Sequence, residues 1–214
     1  MSWRSLREAR RYVVWALLVD LGLAALGRRS GWVALGTTGA CLLFFRDPER
    51  PPCSGEDLIW SAADGVVTEI EPVRDPWLGE QEGVRVSTFL SLHNVHVTRS
   101  PVAGRIALSE EIEGRFRPAL FRKSEANRRT RLAIDGDSDR VVVVQIAGMI
   151  ARRITSWVKI SGTVGAGERL GLIHFGSRTD VLLPRERYEV LVRRGDRVRA
   201  GVTAVARQLS EETA

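Results

Sequence analysis

"RLGLIHFGSRTDVLLP" (Arg169–Pro184) is the stretch on which the reading of the fold turns. Its ends, "RLGLI" and "VLLP", are apolar and strand-length. Its middle places Gly176-Ser177 ahead of Arg178, Thr179 and Asp180. Glycine and serine favour turns, so the plain reading is two strands joined at residues 174–180. The same texture continues on both sides. "GVRVSTFL", "RVVVVQIAG", "RRITSWVKI" and "YEVLV" are Val- and Ile-rich runs broken by glycine. From Asp57 onward this predicts an antiparallel, mainly β (α+β) body. A single helical start is expected after Pro118.

Two segments echo each other. "VKISGTVGAGERLGLI" and "VLVRRGDRVRAGVTAV" both run strand, glycine, valine, Ala-Gly and strand. Paired hairpins of this kind suit a barrel-sandwich arrangement such as that of biotinyl and lipoyl domains. A carrier of that type needs a lysine at a hairpin tip, and neither lysine of the chain, Lys123 or Lys159, sits in one.

The N-terminus is different. "YVVWALLVDLGLAALG" (Tyr12–Gly27) and "GWVALGTTGACLLFF" (Gly31–Phe45) are apolar except for Asp20, and Arg28-Arg29-Ser30 separates them. Each run is roughly 15 residues, short of the roughly 20 that span a hydrocarbon core. A cleaved signal peptide lacks its small-residue site here and leaves the second run unexplained. A hairpin buried in a soluble core and a membrane-associated hairpin remain. Arg4, Arg7, Arg10 and Arg11 suit the anionic cytoplasmic leaflet, and Trp3, Trp15 and Trp32 suit an interface. The expectation is an apolar helical hairpin over residues 1–46, dipping in from the cytoplasmic face of the cell membrane. Pro48, Pro51 and Pro52 then end the helical region, and a β-rich catalytic domain follows over 47–214.

The 214 residues suffice for one domain with an appendage, and 44% hydrophobic with 27% charged content argues against global disorder. The net charge of +6 is almost all arginine. It suits anionic lipid head groups, and no helix-turn-helix, zinc-finger or RNA-binding signature speaks for nucleic acid. Cys41 and Cys53 form neither a metal spacing nor a disulfide framework, which points to a reducing compartment.

Candidate chemistry is sparse. His93 and His96 stand in "LHNVHVTRSP", and His174 is the third histidine. On a strand, positions three apart face opposite ways; on a turn they converge. Without H-E-x-x-H or a fourth ligand, no metal is expected. Asp64 in "SAADGVV" reads alone as a turn residue, and so does Ser177. Ser177 also lacks the G-x-S-x-G elbow of serine hydrolases.

Five segments in order change this reading: "FFRDPER" with its prolines, "ADGVV", "SLHNVHVTRSPVAG", "SEANRRT" and "HFGSRTDVLLP". From Phe44 to Gly201 the chain resembles the short, prokaryotic form of the phosphatidylserine decarboxylase proenzymes. The resemblance implies self-cleavage between Gly176 and Ser177, into a β chain (1–176) and an α chain (177–214) held as a heterodimer that can assemble further. It implies a covalent pyruvoyl cofactor derived from Ser177, whose ketone takes the substrate amine as a Schiff base in a pyruvoyl-dependent carboxy-lyase. Phosphatidylserine would lose CO2 to give phosphatidylethanolamine.

The residue types suit such work. Glycine tolerates a strained scissile backbone. Serine needs a base, histidine is the natural one, and an aspartate can orient it. Ser177, His96 and Asp64 would be that set, with His93 assisting decarboxylation or protonation and the two histidines open to exchange of roles. Thr179 would help position the new N-terminus. Phe116, Leu120 and Phe121 would meet acyl chains, and Arg117, Arg122 and Lys123 the phosphate. Arg178 departs from the family, many members of which carry a small residue there; a side chain crowding the site would slow self-processing. An ether-linked archaeal lipid suits the same residues. A non-catalytic membrane-anchored lipoyl-like module and a serine hydrolase are the rival readings.

Overall fold

A computed structural model describes residues 3–27, 31–55, 57–79, 81–114, 126–148, 153–174 and 176–209, with the side chain of Leu6 excepted. The chain divides into two compact units, residues 1–49 and 50–214.

The first unit holds two helices, α1 (Trp3–Ala25) and α2 (Trp32–Phe44), which pack against each other. α2 begins at Gly31, which offers no side-chain cap. Asp20 of α1 supplies one: its carboxylate accepts the Ala34 N–H at 2.8 Å. The one acidic residue in the apolar runs thus satisfies an orphan donor and the positive end of the second helix. Ala9, Ala16, Cys41, Phe44 and Phe45 are buried, while Trp3, Trp15, Leu17, Leu21, Trp32 and Leu35 are exposed. α2 has 13 residues, about 20 Å at 1.5 Å per residue. No helix among the described residues is long and apolar enough to cross a membrane. The connecting Arg28-Arg29 lies outside the described residues.

The second unit is the expected antiparallel β body. Its strands are β1 (Leu58–Trp60), β2 (Gly65–Arg74), β3 (Glu82–Leu90), β4 (Val97–Arg99), β5 (Gly104–Ile112), β6 (Arg129–Asp135) and β7 (Arg140–Ile146). They continue as β8 (Ile154–Ser156), β9 (Thr163–Val164), β10 (Arg169–Ile173), β11 (Ser177–Pro184), β12 (Tyr188–Val190), β13 (Arg197–Val198) and β14 (Ala204–Gln208). Eight form one sheet in the order β13-β2-β3-β11-β7-β6-β5-β9, curled into a half-barrel. Two three-stranded sheets, β4-β10-β8 and β1-β14-β12, complete the body.

The sequence echo has a structural counterpart. The two-residue strands β9 and β13 lie at opposite edges of the large sheet, and β10 and β14 lie at the centres of the two small ones. The residues after Pro118, where a helix was expected, lie outside the described residues.

Side-chain alternation gives the large sheet two faces. Val84 and Val86 of β3, Val141 and Val143 of β7, and Val181 and Leu183 of β11 face one core, shared with Leu132, Ile134, Leu170 and Val205. On the other face Val142, Val144, Ile146 and Leu182 cluster with Leu78 from the 3-10 turn at Pro76–Leu78. Asp75 caps that turn, accepting the Trp77 N–H at 2.9 Å, and Arg131 lies over the Trp77 ring while pairing with Asp75. β11 is buried along its whole length. A central strand covered on both sides normally reads as an unbroken apolar run. Here its first four residues are Ser177, Arg178, Thr179 and Asp180, so the stretch expected to be a turn opens a strand instead.

Candidate active site

One end of the large sheet gathers the candidate residues. β2 begins at Gly65 just after Asp64; β3 ends at Leu90 just before the turn carrying His93 and His96; β11 begins at Ser177. Register places them in a row, with Val66 opposite Phe89, Arg178 opposite Phe89, and Ser177 opposite Leu90. Gly65 has to be glycine here, because a Cβ would lie 2.1 Å from the Phe89 carbonyl oxygen. Asp64-Gly65 is therefore a strand entry at close backbone approach rather than a simple turn.

Gly176 adopts φ +63°, the left-handed region that L-residues with a side chain avoid. No described atom lies within 4 Å of a Cβ built there, so the dihedral, and not space, calls for glycine. Ser177 is fully buried, and its Oγ makes no hydrogen bond. A buried hydroxyl without a partner costs free energy that a purely structural serine would not incur. Thr179, on the same face of β11, is likewise buried with an unpartnered Oγ1.

His96 is buried beside them. Its Nδ1 lies 2.9 Å from the Asn94 carbonyl, which can only accept, so Nδ1 carries the proton. Nε2 keeps its lone pair and accepts the Gly176 N–H at 3.3 Å. His96 thus presents a basic nitrogen one residue from the Gly176–Ser177 bond. The orienting acceptor is the Asn94 carbonyl and not Asp64. The Asp64 carboxylate instead accepts Arg50 Nη2 at 2.7 Å and the Ala200 N–H at 2.8 Å. It stands at the same sheet end as a fixed, buried anion.

His93 is exposed, on a turn tied by the Asn94 N–H to the Ser91 carbonyl and by the Ser91 N–H to the Asn94 side chain. Ser91 Oγ lies 3.2 Å from each of its ring nitrogens. The two histidines therefore differ in kind, one buried at the Gly-Ser junction and one at the surface. His174 is also buried; its N–H donates to the Arg153 carbonyl and its Nε2 meets Thr155 Oγ1 at 3.3 Å. Phe116, Phe121 and Arg122, with Arg117, Leu120 and Lys123, lie outside the described residues. No three His, Cys, Asp or Glu side chains among the described residues come together as a metal site.

Arg178 does not crowd Ser177. Adjacent strand residues face opposite ways, and its guanidinium lies on the other face of β11. There Nε meets Asp180 Oδ1 at 2.6 Å, and Nη2 meets Asp180 Oδ2 at 3.0 Å and Ser87 Oγ at 2.8 Å. Both charges are buried, and removing either alone would cost about 3–5 kcal/mol.

Three further residues join the site that residue type alone did not single out. Asn94 and Arg50 act through the contacts above. Gln145 of β7 lies opposite Thr179 and donates from Nε2 to Thr98 Oγ1, whose own proton goes to the Gly171 carbonyl. Its Oε1 is thereby left as an unpartnered acceptor in the same buried polar cluster. A lone polar residue inside "RVVVVQIAG" is the sequence signal for it.

Known proteins are similar to this sequence. The family model described as phosphatidylserine decarboxylase matches residues 38–206. A phosphatidylserine decarboxylase proenzyme of Ruegeria pomeroyi is 42% identical over 204 residues, covering 93% of each chain. A protein of the same name from Azorhizobium caulinodans is 43% identical over 209 residues, covering 94% of this chain and 87% of the relative. A match of this extent, over the stretch that carries the Gly176-Ser177 junction and its histidine, makes the chain a member of the phosphatidylserine decarboxylase family.

Proposed function

We propose that this protein is a phosphatidylserine decarboxylase that cuts itself between Gly176 and Ser177 and carries a pyruvoyl group made from Ser177. One observation carries the reading: a buried, unpartnered Ser177 hydroxyl directly follows a left-handed Gly176 whose N–H rests on the basic nitrogen of His96. An idle turn serine does not call for this arrangement.

His96 Nε2 takes the Ser177 hydroxyl proton, exchanging the Gly176 N–H for it; bonds of this kind tighten only as reaction begins. Ser177 Oγ attacks the Gly176 carbonyl carbon. The Gly176–Ser177 C–N bond breaks, leaving an ester at Oγ and a free amine on residue 177. Removal of the residue 177 Cα proton expels Gly176 as a carboxylate. Water then replaces the nitrogen, which leaves as ammonia. The residues present fit the resulting ketone, since the unpartnered Thr179 hydroxyl shares the Ser177 face of β11. The pyruvoyl group supplies an electron sink for the bond to the departing CO2. His93, exposed at the mouth of the turn, is the candidate proton donor to the product. Asp64, held by Arg50 and the Ala200 N–H, fixes the chain at the same end of the sheet.

Membrane lipid is the substrate in this reading, with the apolar side chains of the first unit and Arg4, Arg7 and Arg10 of α1 facing the bilayer. Intact mass tests the proposal. Wild type yields chains 1–176 and 177–214, the latter with a pyruvoyl end, and releases CO2 from phosphatidylserine vesicles; Ser177→Ala stays whole. A wild type that stays whole in the presence of vesicles overturns it.

A further inference from the structure

We infer that Arg178 is a positioning residue: its buried guanidinium holds residue 177 at the reacting end of the sheet once the chain has parted before it. The inference rests on the self-cleavage proposed above. Residue 177 then becomes the first residue of a new chain, and chain ends fray unless tied down. The backbone ladder ties it weakly. Ser177 pairs with Leu90 of β3, whereas pairing with β7 begins one residue later, where Arg178 faces Ile146.

The side chain of Arg178 supplies the missing tie. Its fork grips Asp180 of its own strand with Nε and Nη2, which fixes the guanidinium plane. From that plane Nη2 reaches Ser87 of β3 at 2.8 Å and Nη1 reaches Glu69 of β2 at 3.5 Å. β2 and β3 both belong to the upstream chain. The second residue of the downstream chain is therefore hydrogen-bonded to one strand of the upstream chain and ion-paired with a second, one residue from the break. Arg178 is 1% exposed and its partners Asp180 and Ser87 are buried, so water does not compete for the contacts among these three. It works from the face opposite Ser177 and leaves the reacting side clear. A planar fork does this and a lysine does not.

The test compares Arg178→Lys and the apolar replacement Arg178→Met with Asp180→Leu, each in a self-cutting chain and in an uncut Ser177→Ala chain. The double variant removes the two fully buried charges together, and the Glu69 it leaves behind is partly exposed, so the fold is kept. Thermal melts, intact masses and steady-state turnover of phosphatidylserine vesicles are read. The expected result is that both variants still cut. The cut form of the double variant loses at least about 4 °C more in Tm than its uncut form. Because misplacement by about 1 Å is costly, kcat falls on the order of 10-fold or more. KM stays within about twofold, as fits a group that does not bind the lipid, and Arg178→Lys is intermediate. Equal Tm losses in cut and uncut backgrounds, or an unchanged kcat, overturn the inference while self-cleavage stands. A wild type that never cuts overturns both.

Discussion

Gly176→Ala separates two reasons for a glycine at the scissile position. A clash does not arise, because no described atom lies within 4 Å of the added Cβ. The dihedral does matter: an L-residue in the left-handed region costs about 1–2 kcal/mol. If cutting proceeds from the conformation seen at φ +63°, that cost depletes the reactive form by a factor of about 5 to 30. Self-cutting should slow by the same factor, without being abolished. The Gly176 N–H bond to His96 should weaken with it, since it depends on the same turn. Asparagine is the discriminating control. It is larger than alanine but several-fold enriched at positive φ, so Gly176→Asn should cut faster than Gly176→Ala. Gly176→Val, branched at Cβ, should be slowest. The assay follows precursor decay by intact mass from the moment of synthesis. A rate order set by side-chain volume, with asparagine slower than alanine, would refute the dihedral argument. So would alanine and valine cutting at the wild-type rate.

His96→Ala should slow the cut by about 100- to 10,000-fold, the range for loss of a general base, whereas His93→Ala should cut normally and lose turnover; a blocked cut in His93→Ala would reassign the two rings. Asp64→Asn and Arg50→Met both break a buried pair, so each should lower Tm by roughly 10 °C. Only Asp64→Asn should also stop the cut, and an equal block in Arg50→Met would assign Asp64 to the fold alone. Burial, and then Asp139, push the Tyr188 hydroxyl well above its ordinary pKa. A raised group stabilises the fold below its unfolded pKa and loses that contribution as pH rises, here above about pH 10. Wild type should therefore lose Tm more steeply than Tyr188→Phe between about pH 9 and 11, and parallel slopes would contradict the assignment.

The β body was legible because valine-rich alternation reports strands directly. β11 was not, at its start. Ser177, Arg178, Thr179 and Asp180 have the polarity of a turn, yet the strand begins at Ser177, directly after the left-handed Gly176. Tertiary pairing overrides local preference there: Arg178 and Asp180 neutralise each other on one face, so a polar tetrapeptide can enter a buried strand. The hairpin echo was legible as a repeat, but the edge and centre positions of its strands depend on pairings far apart in sequence. At the site, motif order pointed to Asp64, His96 and Ser177 together. It did not reveal which atom faces which. That Asn94 orients His96 follows from a two-residue turn, and that Arg50 holds Asp64 follows from a fourteen-residue span closing on itself. "FFRDPER" contained Arg50, yet nothing in a sequence says which charged residue of a linker folds inward.

The position of the junction explains how the proposed cut there would leave the fold intact. The segment 177–214 carries β11, β12, β13 and β14. β11 is the fourth of eight strands, between β3 and β7; β13 pairs with β2, and β14 pairs with β1. Val181, Leu183, Tyr188, Val198 and Val205 from this segment share one core with Val67, Val86, Ile134 and Val143 from the other. To separate, the two chains would have to give up four ladders and expose both halves of that core, at about 1.5–3 kcal/mol for each buried apolar side chain. Loss of one peptide bond at a strand's first residue removes none of these interactions. A cut a few residues later, inside β11, would fall within the doubly paired region and put the new end where no turn can carry the nucleophile to its carbonyl. The left-handed turn at Gly176 and the first ladder pair at Ser177 stand next to each other at this junction. On the proposed mechanism, that adjacency would let the same residue serve as attacking group before the cut and as anchored terminus after it.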